Sequence, residues 1–330
     1  MKKLTKKSAT SPANIAFIKY WGKKNSSLNI PNNSSISMNL DSCLTTTTVH
    51  FIENLKEDEV VIDCKRVSGE ARQRVIKIIN LVRKWSGVKQ RAKVSSINNF
   101  PSDAGVASSA SAFSALALAA SSAAGLELSG KKLSILARIG SGSACRSVVD
   151  GFSEWKMGTS SETSYANQLE KPSFWDLRDI VVIVSSGKKE KSSTEGHKLA
   201  KTSPYYLKRQ RMMQKRTSML KKAFLSKNID NFGKILEQEA IDLHVIAMTS
   251  DPPIFYLNSS SFAVIQTLRE LRQKRVKGFF TMDAGPNVHV ICRQKDVEVI
   301  NRTIKRLPGV KSTIVNKPGL GTRVSSNHLF

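Results

Sequence analysis

The 330-residue sequence is poor in acidic residues and lacks the cysteine spacing of a metal site or a disulfide framework. It has 26 Asp and Glu against 52 Lys and Arg, which gives a formal net charge of +26. The four cysteines, Cys43, Cys64, Cys145 and Cys292, are far apart and form no C-x-x-C pair. Zinc binding and disulfide scaffolding are therefore not indicated, and a reduced, cytoplasmic setting is predicted.

Long apolar runs are also missing. No stretch approaches 18 consecutive apolar residues, because serines interrupt the alanine-rich run from Ala104, so no membrane-spanning helix is predicted. Lys2, Lys3, Lys6 and Lys7 have the charge of a signal-peptide start, but no apolar segment follows them. We therefore expect no secretory leader in this stretch.

The sequence lacks the signatures of the common nucleotide-binding loops. The pattern G-x-x-x-x-G-K-[ST] does not occur, and residues 140–145 and 319–324 start as G-x-G without the third glycine. A P-loop and a Rossmann dinucleotide site are excluded on this ground.

The excess positive charge is densest between Lys188 and Lys227, where 13 Lys or Arg stand against Glu190 and Glu195. A solvated helical face explains most runs of this kind. A nucleic-acid groove would need interleaved aromatic residues or a recognisable binding module, and aromatic residues are few here. Contact with nucleic acid is predicted to be non-specific, through charge. A basic nucleic-acid-binding protein stays open as the alternative from another functional class.

Apolar periodicity predicts an α+β chain. Strands are predicted near 13–19, 34–40, 45–53, 58–63, 92–97, 179–186 and 310–316, with a strand–turn–strand over 278–293. Helices are predicted at 70–86, 106–124, 130–139, around 198–226, and at 229–248, 259–274 and 295–306. The first part is mixed α/β and the second is helix-rich, which indicates two lobes that meet near 180–190.

The stretch 98–109 ends in Ser108 and Ser109, at the start of an alanine- and serine-rich helix. Backbone N–H groups, hydroxyls and the positive end of the helix dipole at such a position favour a phosphate chain. A plain helix packed against a sheet explains the same composition equally well.

The stretch "GSGSACRS" at 140–147 offers the hydroxyls of Ser141 and Ser143 together with the guanidinium of Arg146. These donors fit a carboxylate or a phosphate. A turn between two helices, with an exposed arginine, is the alternative interpretation.

Asp283 stands in "TMDAGPN", at the end of an apolar run and before a tight turn. A lone Asp at such a position commonly bonds the backbone of the turn. Facing a cleft, it could instead accept a hydroxyl proton during phosphoryl transfer. The five histidines have no metal or triad spacing and are interpreted as structural or surface residues: His50, His197, His244, His289 and His328.

Six stretches occur in one order along nearly the whole chain. They are "NIAFIKYWGK" at 14–23 with "LNIPNNSSIS" at 28–37, "NNFPSDAGVASSAS" at 98–111, "GSGSACRS" at 140–147, "SSTEGH" at 192–197, "PPIFYLN" at 252–258 and "TMDAGPNVHV" at 281–290. Together they resemble the diphosphomevalonate decarboxylase family of the GHMP small-molecule kinase superfamily. The resemblance implies a two-lobed α+β GHMP kinase fold. Residues 1–185 would form a mixed α/β N-terminal lobe of the ribosomal protein S5 domain 2-like type, carrying the ATP phosphate loop, and residues 186–330 a ferredoxin-like C-terminal lobe.

The resemblance also implies a reaction. ATP, with Mg²⁺, would phosphorylate the tertiary 3-hydroxyl of mevalonate 5-diphosphate, after which phosphate and CO₂ leave and isopentenyl diphosphate forms. Loss of phosphate builds positive charge on a tertiary carbon. The site therefore needs anion-binding groups, little water and a carboxylate near C3. The implied partners are the small anionic substrate and a second copy of the chain, as a homodimer, with no membrane.

Site residues carry over from the family motifs position by position. The catalytic residues implied are Asp283, Lys19 and Arg146. The substrate-binding residues implied are Tyr20, Trp21, Gly22, Lys23, Ser141, Gly142, Ser143, Ala144, Cys145, Arg146, Ser192, Ser193 and Thr194. The ATP phosphates would be bound by Gly105, Ala107, Ser108 and Ser109, with Ser108 also at the metal. Lys19 and Lys23, four apart, can face one cleft.

Several points stay open at this level. Asp103 departs from the small residue expected in the phosphate loop and is interpreted as a helix N-cap, with a place near the metal as the alternative. Arg72 or Arg74 could reach the diphosphate. A decarboxylase of mevalonate 5-phosphate, or a kinase that stops after 3-phosphorylation, would share this fold. Lys19 together with Asp283 favours full decarboxylation, and "KYWGK" favours the diphosphate.

Overall fold

A computed structural model describes residues 4–101, 108–185 and 191–330. The strands are β1 (Lys7–Ile18), β2 (Lys23–Asn25), β3 (Ile30–Pro31), β4 (Ser35–Ile52), β5 (Glu59–Ile62), β6 (Lys65–Arg66), β7 (Arg91–Asn98), β8 (Phe152–Trp155), β9 (Ala166–Glu170), β10 (Leu177–Ile183), β11 (Gly278–Thr281), β12 (Val288–Arg293), β13 (Ser312–Asn316) and β14 (Arg323–Ser325). The α-helices are α1 (Gly69–Ser86), α2 (Ser108–Ala123), α3 (Gly130–Gly140), α4 (Ser193–Leu199), α5 (Tyr206–Leu225), α6 (Ile229–Met248), α7 (Ser259–Gln273) and α8 (Val297–Lys305).

The first sheet has eight strands and is built around β1 and β4. Its order is β14-β1-β4-β7-β5-β6, and β8 pairs with β4 and with β9. The two strands predicted at 34–40 and 45–53 are one strand, β4, so that prediction was wrong. The first half of β4 pairs with β8 and its second half with β7. The polar pair Asp41–Ser42 lies between the two halves and interrupts the apolar pattern, although the backbone stays extended.

Helix α2 packs on β1 and β4 through a surface of small side chains. Alanine and serine dominate its buried positions, with Phe113 and Leu116 as the large members. The same core contains the apolar faces of α1 and α3. Because α2 has almost no bulky residue toward the sheet, its first turn can lie close to the strand ends.

The second sheet is antiparallel and has the order β11-β12-β10-β13. One of its faces is covered by α7 and α8, through residues such as Leu268 and Ile300. Its other face shares a core with β1, β4, α5 and α6, in which Phe17 contacts Phe232 edge-on at 5.0 Å between ring centroids. This shared core brings the end of β1 next to the turn between β11 and β12.

The division of the chain at 185/186 stays a prediction. Strand β10 belongs to the second sheet, and β14, near the end of the chain, returns to the first sheet beside β1. Among the described helices, none is both long and apolar enough to span a membrane.

Candidate active site

A cavity of about 810 Å³ opens where the two halves of the chain meet. In the first half of the chain, its walls are formed by the end of β1 and the loop after it, by α1, by the start of α2, and by the end of α3 with the 3-10 helix at 142–148. In the second half, they are formed by α4 and by the β11–β12 turn. The charged residues among those that line it are Lys19, Lys23, Glu70, Arg74, Lys77, Arg146, Glu195 and Asp283. Cations outnumber carboxylates, so the cavity is suited to an anion.

Lys19 and Asp283 form an ion pair at the base of this cavity. Lys19 follows the last residue of β1, and Asp283 follows β11 in a turn closed by the Gly285 N–H donating to the Asp283 carbonyl at 2.8 Å. The Lys19 Nζ donates to Asp283 Oδ1 at 2.8 Å and to the Ala16 carbonyl at 2.7 Å. The Lys19 side chain is 1% exposed and that of Asp283 is 27% exposed, so the carboxylate is the partner that faces the open space.

The environment fixes the charge of this pair. Burial lowers the pKa of Lys19, and the charge and hydrogen bond of Asp283 offset part of that effect. Burial alone would raise the pKa of Asp283, but the charge and hydrogen bond of Lys19, with smaller contributions from His289 and Arg146, hold it below its usual value. Asp283 is therefore a carboxylate at neutral pH and can accept a proton.

Arg146 lies in the 3-10 helix and is 2% exposed. Its Nε and Nη2 donate to Asn14 Oδ1 at 3.1 and 3.0 Å, and its Nη1 donates to Ser35 Oγ at 2.7 Å. Asn14 is oriented in turn by donating to Ser147 Oγ at 2.8 Å. These partners are neutral, and burial lowers the pKa of Arg146. A buried guanidinium held by neutral groups favours binding of an anion in the adjoining space.

The segment after Lys19 is held by close aromatic packing. The Tyr20 ring lies edge-on to Trp155 at 4.7 Å between centroids, and a Cβ on Gly142 would come within 2.5 Å of the Tyr20 ring. Gly22 has φ +88°, and a Cβ there would lie 2.0 Å from the Tyr206 hydroxyl. The buried Tyr20 hydroxyl has no hydrogen-bond partner among the described residues, so a ligand can supply one.

Lys23 follows the Gly22 turn and also lines the cavity. Its Nζ donates to Asn29 Oδ1 at 2.7 Å, and Asn29 donates through Nδ2 to the carbonyls of Arg138 and Ile139. Burial, with the charges of Arg74 and other nearby cations, lowers the pKa of Lys23 to about 8. The ammonium form is favoured again when an anion binds next to it.

Helix α4 brings a polar wall from the second half of the chain. Ser192 and Glu195 form a capping box, in which Ser192 Oγ accepts from the Glu195 N–H at 3.2 Å and Glu195 Oε2 accepts from the Ser192 N–H at 2.8 Å. Ser193, Thr194 and His197 line the cavity from the same helix. The capping box satisfies N–H groups at the helix start and so fixes where α4 begins.

The start of α2 forms a third part of the cavity. Ser108 and Ser109 line it, and the hydroxyl of Ser109 lies 3.2 Å from that of Ser141. Gly105, Ala107 and Asp103, which were also predicted here, lie outside the described residues. The hydroxyls of two separate elements thus meet beside the helix start, an arrangement that suits phosphate oxygens.

Comparison with known proteins identifies the two halves of the chain. The family model of the diphosphomevalonate decarboxylase-like N-terminal domain matches residues 11–166, and that of the mevalonate 5-diphosphate decarboxylase C-terminal domain matches residues 179–320. The chain belongs to the diphosphomevalonate decarboxylase family. The family predicted from the motifs is therefore confirmed.

Individual relatives match nearly the whole length of the chain. The diphosphomevalonate decarboxylase of Candida albicans is 34% identical over 326 residues, which are 92% of this chain and 90% of that protein. The crystal structure of mevalonate diphosphate decarboxylase from Staphylococcus aureus superposes with a TM-score of 0.92 at 36% identity, covering 97% of this chain and 98% of that one. A structure described as MDDEF in complex with MVAPP, AMPPCP and magnesium gives a TM-score of 0.92 at 35% identity, covering 98% and 99%. The predicted two-lobed α+β GHMP kinase fold is confirmed.

Most residues expected from the decarboxylase motifs meet at this one cavity. Those that line it are Lys19, Tyr20, Trp21, Lys23, Ser108, Ser109, Ser141, Gly142, Ser143, Arg146, Ser192, Ser193, Thr194 and Asp283. Gly22, Ala144 and Cys145 are buried and do not line it. Arg74 lines the cavity, whereas Arg72 pairs with Glu57 at 3.2 Å. The roles of these residues toward a ligand stay predictions.

Sequence reasoning missed several lining residues of the decarboxylase cavity. Lys77 had no signal beyond composition, since its place depends on where α1 packs. Asn29 stands in "LNIPNNSSIS" at 28–37, a matched stretch from which no site residue was named. His197 was interpreted as structural or at the surface, although it stands in the "SSTEGH" motif. Its position in a matched motif was the signal that could have marked it.

The oxygen donors of the cavity bear on where Mg²⁺ could bind. Residues 4–101, 108–185 and 191–330 contain no group of three His, Cys, Asp or Glu that could hold a metal ion. Mg²⁺ beside a nucleotide needs only one or two protein oxygens, because phosphate oxygens and water fill the other positions. The Ser108 hydroxyl and the lining carboxylates fit that need, and a dedicated protein cage does not.

Proposed function

We propose that Lys19, Asp283 and Arg146 carry the family reaction in this chain. The chain is an enzyme that uses ATP and Mg²⁺ to convert mevalonate 5-diphosphate to isopentenyl diphosphate, ADP, phosphate and CO₂. The observation that carries the residue assignment is the convergence of these three side chains on one cavity, although they are more than 120 positions apart from one another in the sequence.

Asp283 acts on the 3-hydroxyl of the substrate. Its ionised carboxylate accepts the hydroxyl proton while the oxygen attacks the γ-phosphorus of ATP and ADP leaves with the electron pair of the broken P–O bond. Lys19 neutralises the carboxylate before the reaction and its charge lies beside the transferred phosphoryl group afterwards. The 2.8 Å Lys19–Asp283 contact supports both roles.

Arg146 acts in the second half of the reaction. The C3–O bond breaks and phosphate leaves with its electron pair, while the electrons of the bond to the carboxylate carbon form the C2–C3 double bond and CO₂ departs. Arg146 is held rigidly by Asn14 and Ser35, so it can orient the substrate carboxylate. Ser141 and Ser143 add hydroxyl donors at the same wall.

The 5-diphosphate is assigned to the segment Tyr20–Lys23, with Arg74 nearby, and to Ser192, Ser193 and Thr194 of the opposite wall. Ser108 and Ser109, with Gly105 and Ala107 of the preceding stretch, are assigned to the ATP phosphates. The Ser108 hydroxyl would hold Mg²⁺ together with the phosphates, and the ion would supply charge neutralisation to the transferring group. The solved relative with MVAPP, AMPPCP and magnesium supports this assignment of ligands.

The residue assignment is tested first by Asp283→Asn. The substitution removes proton acceptance and negative charge but little volume, so we expect substrate binding by calorimetry to change by less than tenfold, while turnover falls by about 10²–10⁴-fold. Release of phosphate and CO₂ measures turnover. Asp176→Asn is the matched control, because Asp176 pairs with Arg178 on the surface with 65% exposure. A near-normal rate in Asp283→Asn would remove Asp283 from the mechanism.

The same assay compares mevalonate 5-phosphate with the 5-diphosphate. We expect the diphosphate to be preferred, because Lys23 and Arg74 provide charge for a second phosphate. A preference for the monophosphate would contradict the substrate assignment.

A homodimer, a cytoplasmic location and a lobe boundary at 185/186 belong to the proposal as well. The resemblance supports the homodimer, and light scattering of the purified protein tests it. The four cysteines are free, and three of them are buried, which suits a reducing compartment. Limited proteolysis with cleavage confined to 186–190 would support the boundary.

A further inference from the structure

His197 is a buried histidine that the reaction described above leaves without a role. It lies on α4, is 8% exposed and lines the cavity. Its Nδ1 accepts a hydrogen bond from the Gly22 N–H at 2.9 Å. The ring thus bonds the backbone of the segment assigned to the diphosphate, across the boundary between the two halves of the chain.

Packing reinforces this hydrogen bond. The His197 ring lies 4.2 Å from the Tyr20 ring and 4.8 Å from the Trp21 ring, between centroids. One side chain of α4 therefore touches three consecutive residues, Tyr20, Trp21 and Gly22. No other contact of α4 fixes the backbone of this segment by a hydrogen bond among the described residues.

The conformation at Gly22 decides where Lys23 goes. With φ +88° at Gly22, the chain turns sharply between Trp21 and Lys23. An N–H that is fixed by His197 holds this turn, and the Lys23 ammonium then lies 2.7 Å from Asn29 Oδ1, toward the cavity.

The histidine must be neutral to accept the bond, with its proton on Nε2. Burial, together with the positive charge of Lys23, lowers the pKa of His197 well below its usual value. Asp283 opposes this shift and Arg146 adds to it. The ring is therefore uncharged at neutral pH.

We propose that His197 is a positioning residue for the substrate diphosphate, because it holds Gly22 so that Lys23 points at the phosphate groups. This inference rests on the proposed function, in which Lys23 binds the diphosphate. His197 acts through Lys23 and performs no chemistry itself.

The test compares a variant without an acceptor and one that keeps it. His197→Leu removes the acceptor, whereas His197→Asn retains a carbonyl oxygen close to the place of Nδ1. We expect His197→Leu to raise the KM for mevalonate 5-diphosphate about tenfold, with a smaller change in kcat and in the KM for ATP. The KM of His197→Asn for mevalonate 5-diphosphate should lie close to that of the unmutated protein. Equal losses in the two variants would overturn the proposal. His50→Leu is the control, since His50 lies on β4 and does not line the cavity.

A double-mutant cycle separates positioning from a general structural role. If His197 acts through Lys23, His197→Leu adds no further rise in KM in a Lys23→Met background. Additive losses would show that His197 affects the site independently of Lys23 and would overturn the proposal.

A second measurement needs no variant. Because Nδ1 accepts from the Gly22 N–H, the ¹⁵N NMR spectrum of the unmutated protein should show His197 with an unprotonated Nδ1 and a protonated Nε2 at neutral pH. A proton on Nδ1 would overturn the proposal even if His197→Leu failed to fold.

Failure of this inference is distinguishable from failure of the proposed function. If the unmutated protein does not turn over mevalonate 5-diphosphate, the proposed function fails. If it does, and Lys23→Met raises the KM while His197→Leu does not, only the role of His197 is overturned.

Discussion

At the scale of single residues, burial in the cavity sets the charge states on which the chemistry depends. Asp283 stays ionised because Lys19 outweighs the effect of burial. Burial, with the charges of nearby cations, lowers the pKa of Lys23 to about 8. Titratable groups with perturbed pKa values cluster at binding and catalytic sites. The same residues follow strand ends or a glycine turn, where the backbone can turn them toward one space.

The pKa of Lys23 leads to a pH prediction. Because the ammonium form binds the diphosphate and the pKa is lowered to about 8, its contribution to binding is present below pH 8 and is lost above it. We expect kcat/KM for mevalonate 5-diphosphate to fall between pH 7 and pH 9, a window in which phosphates are already ionised. Steady-state rates across this range measure it.

Lys23→Arg should flatten this pH dependence, because a guanidinium stays charged throughout the range. Lys24→Arg serves as the control, since Lys24 is exposed and does not line the cavity. A profile that is unchanged in Lys23→Arg would assign the titration to another group.

At the scale of elements, the sequence predicted the helices and strands whose apolar residues recur at a regular spacing. It did not predict the features that depend on packing against a distant part of the chain. Helix α6 was predicted at 229–248 and is found as Ile229–Met248, because its apolar positions recur with helical spacing. Strands β2, β3, β6 and β14 have two or three residues each and are too short for any periodicity. Lys19 and Asp283 could be named because their motifs are distinctive, whereas Lys77 lies in no matched motif and lines the cavity because of the way α1 packs.

A buried carboxylate joins three elements beneath the cavity. Glu239 on α6 is fully buried and accepts from Arg209 at 2.8 Å, from Arg216 at 2.5 Å and from the Lys19 N–H at 3.0 Å. The two arginines come from α5, and Lys19 follows β1. This cluster fixes the backbone of Lys19 relative to the helices of the second half.

We expect Glu239→Ala to lower the free energy of unfolding by about 3–5 kcal/mol, because it leaves the buried Arg209 without a carboxylate partner and the buried Arg216 with Asp242 alone. Urea unfolding measures the change. Asp242→Ala is the matched control: Asp242 pairs with Arg216 but is 30% exposed, so a loss of about 1 kcal/mol or less is expected. Equal losses in the two variants would contradict a special role for the buried carboxylate.

At the scale of the whole molecule, the end of the chain returns to support the site. Strand β14 pairs with β1 through Ser325 opposite Ser8. Just before it, Thr322 donates through its N–H and its hydroxyl to the Ser147 carbonyl, each at 2.9 Å. Ser147 in turn accepts from Asn14, which holds Arg146.

Deletion of residues 321–330 tests whether this returning segment supports the active site. It removes β14 and the two Thr322 hydrogen bonds, so we expect the free energy of unfolding to fall by about 3 kcal/mol and the KM for the substrate to rise as Arg146 loses its alignment. Deletion of residues 327–330 is the matched control, because it keeps β14 and Thr322 and removes the contacts of Asn327, His328, Leu329 and Phe330. Thermal unfolding and steady-state kinetics are measured on both proteins. The longer deletion could lower the stability and yet give the same KM as the control deletion. In that case residues 321–330 would stabilise the sheet only, and Asn14 and Ser35 would hold Arg146 without help from this segment.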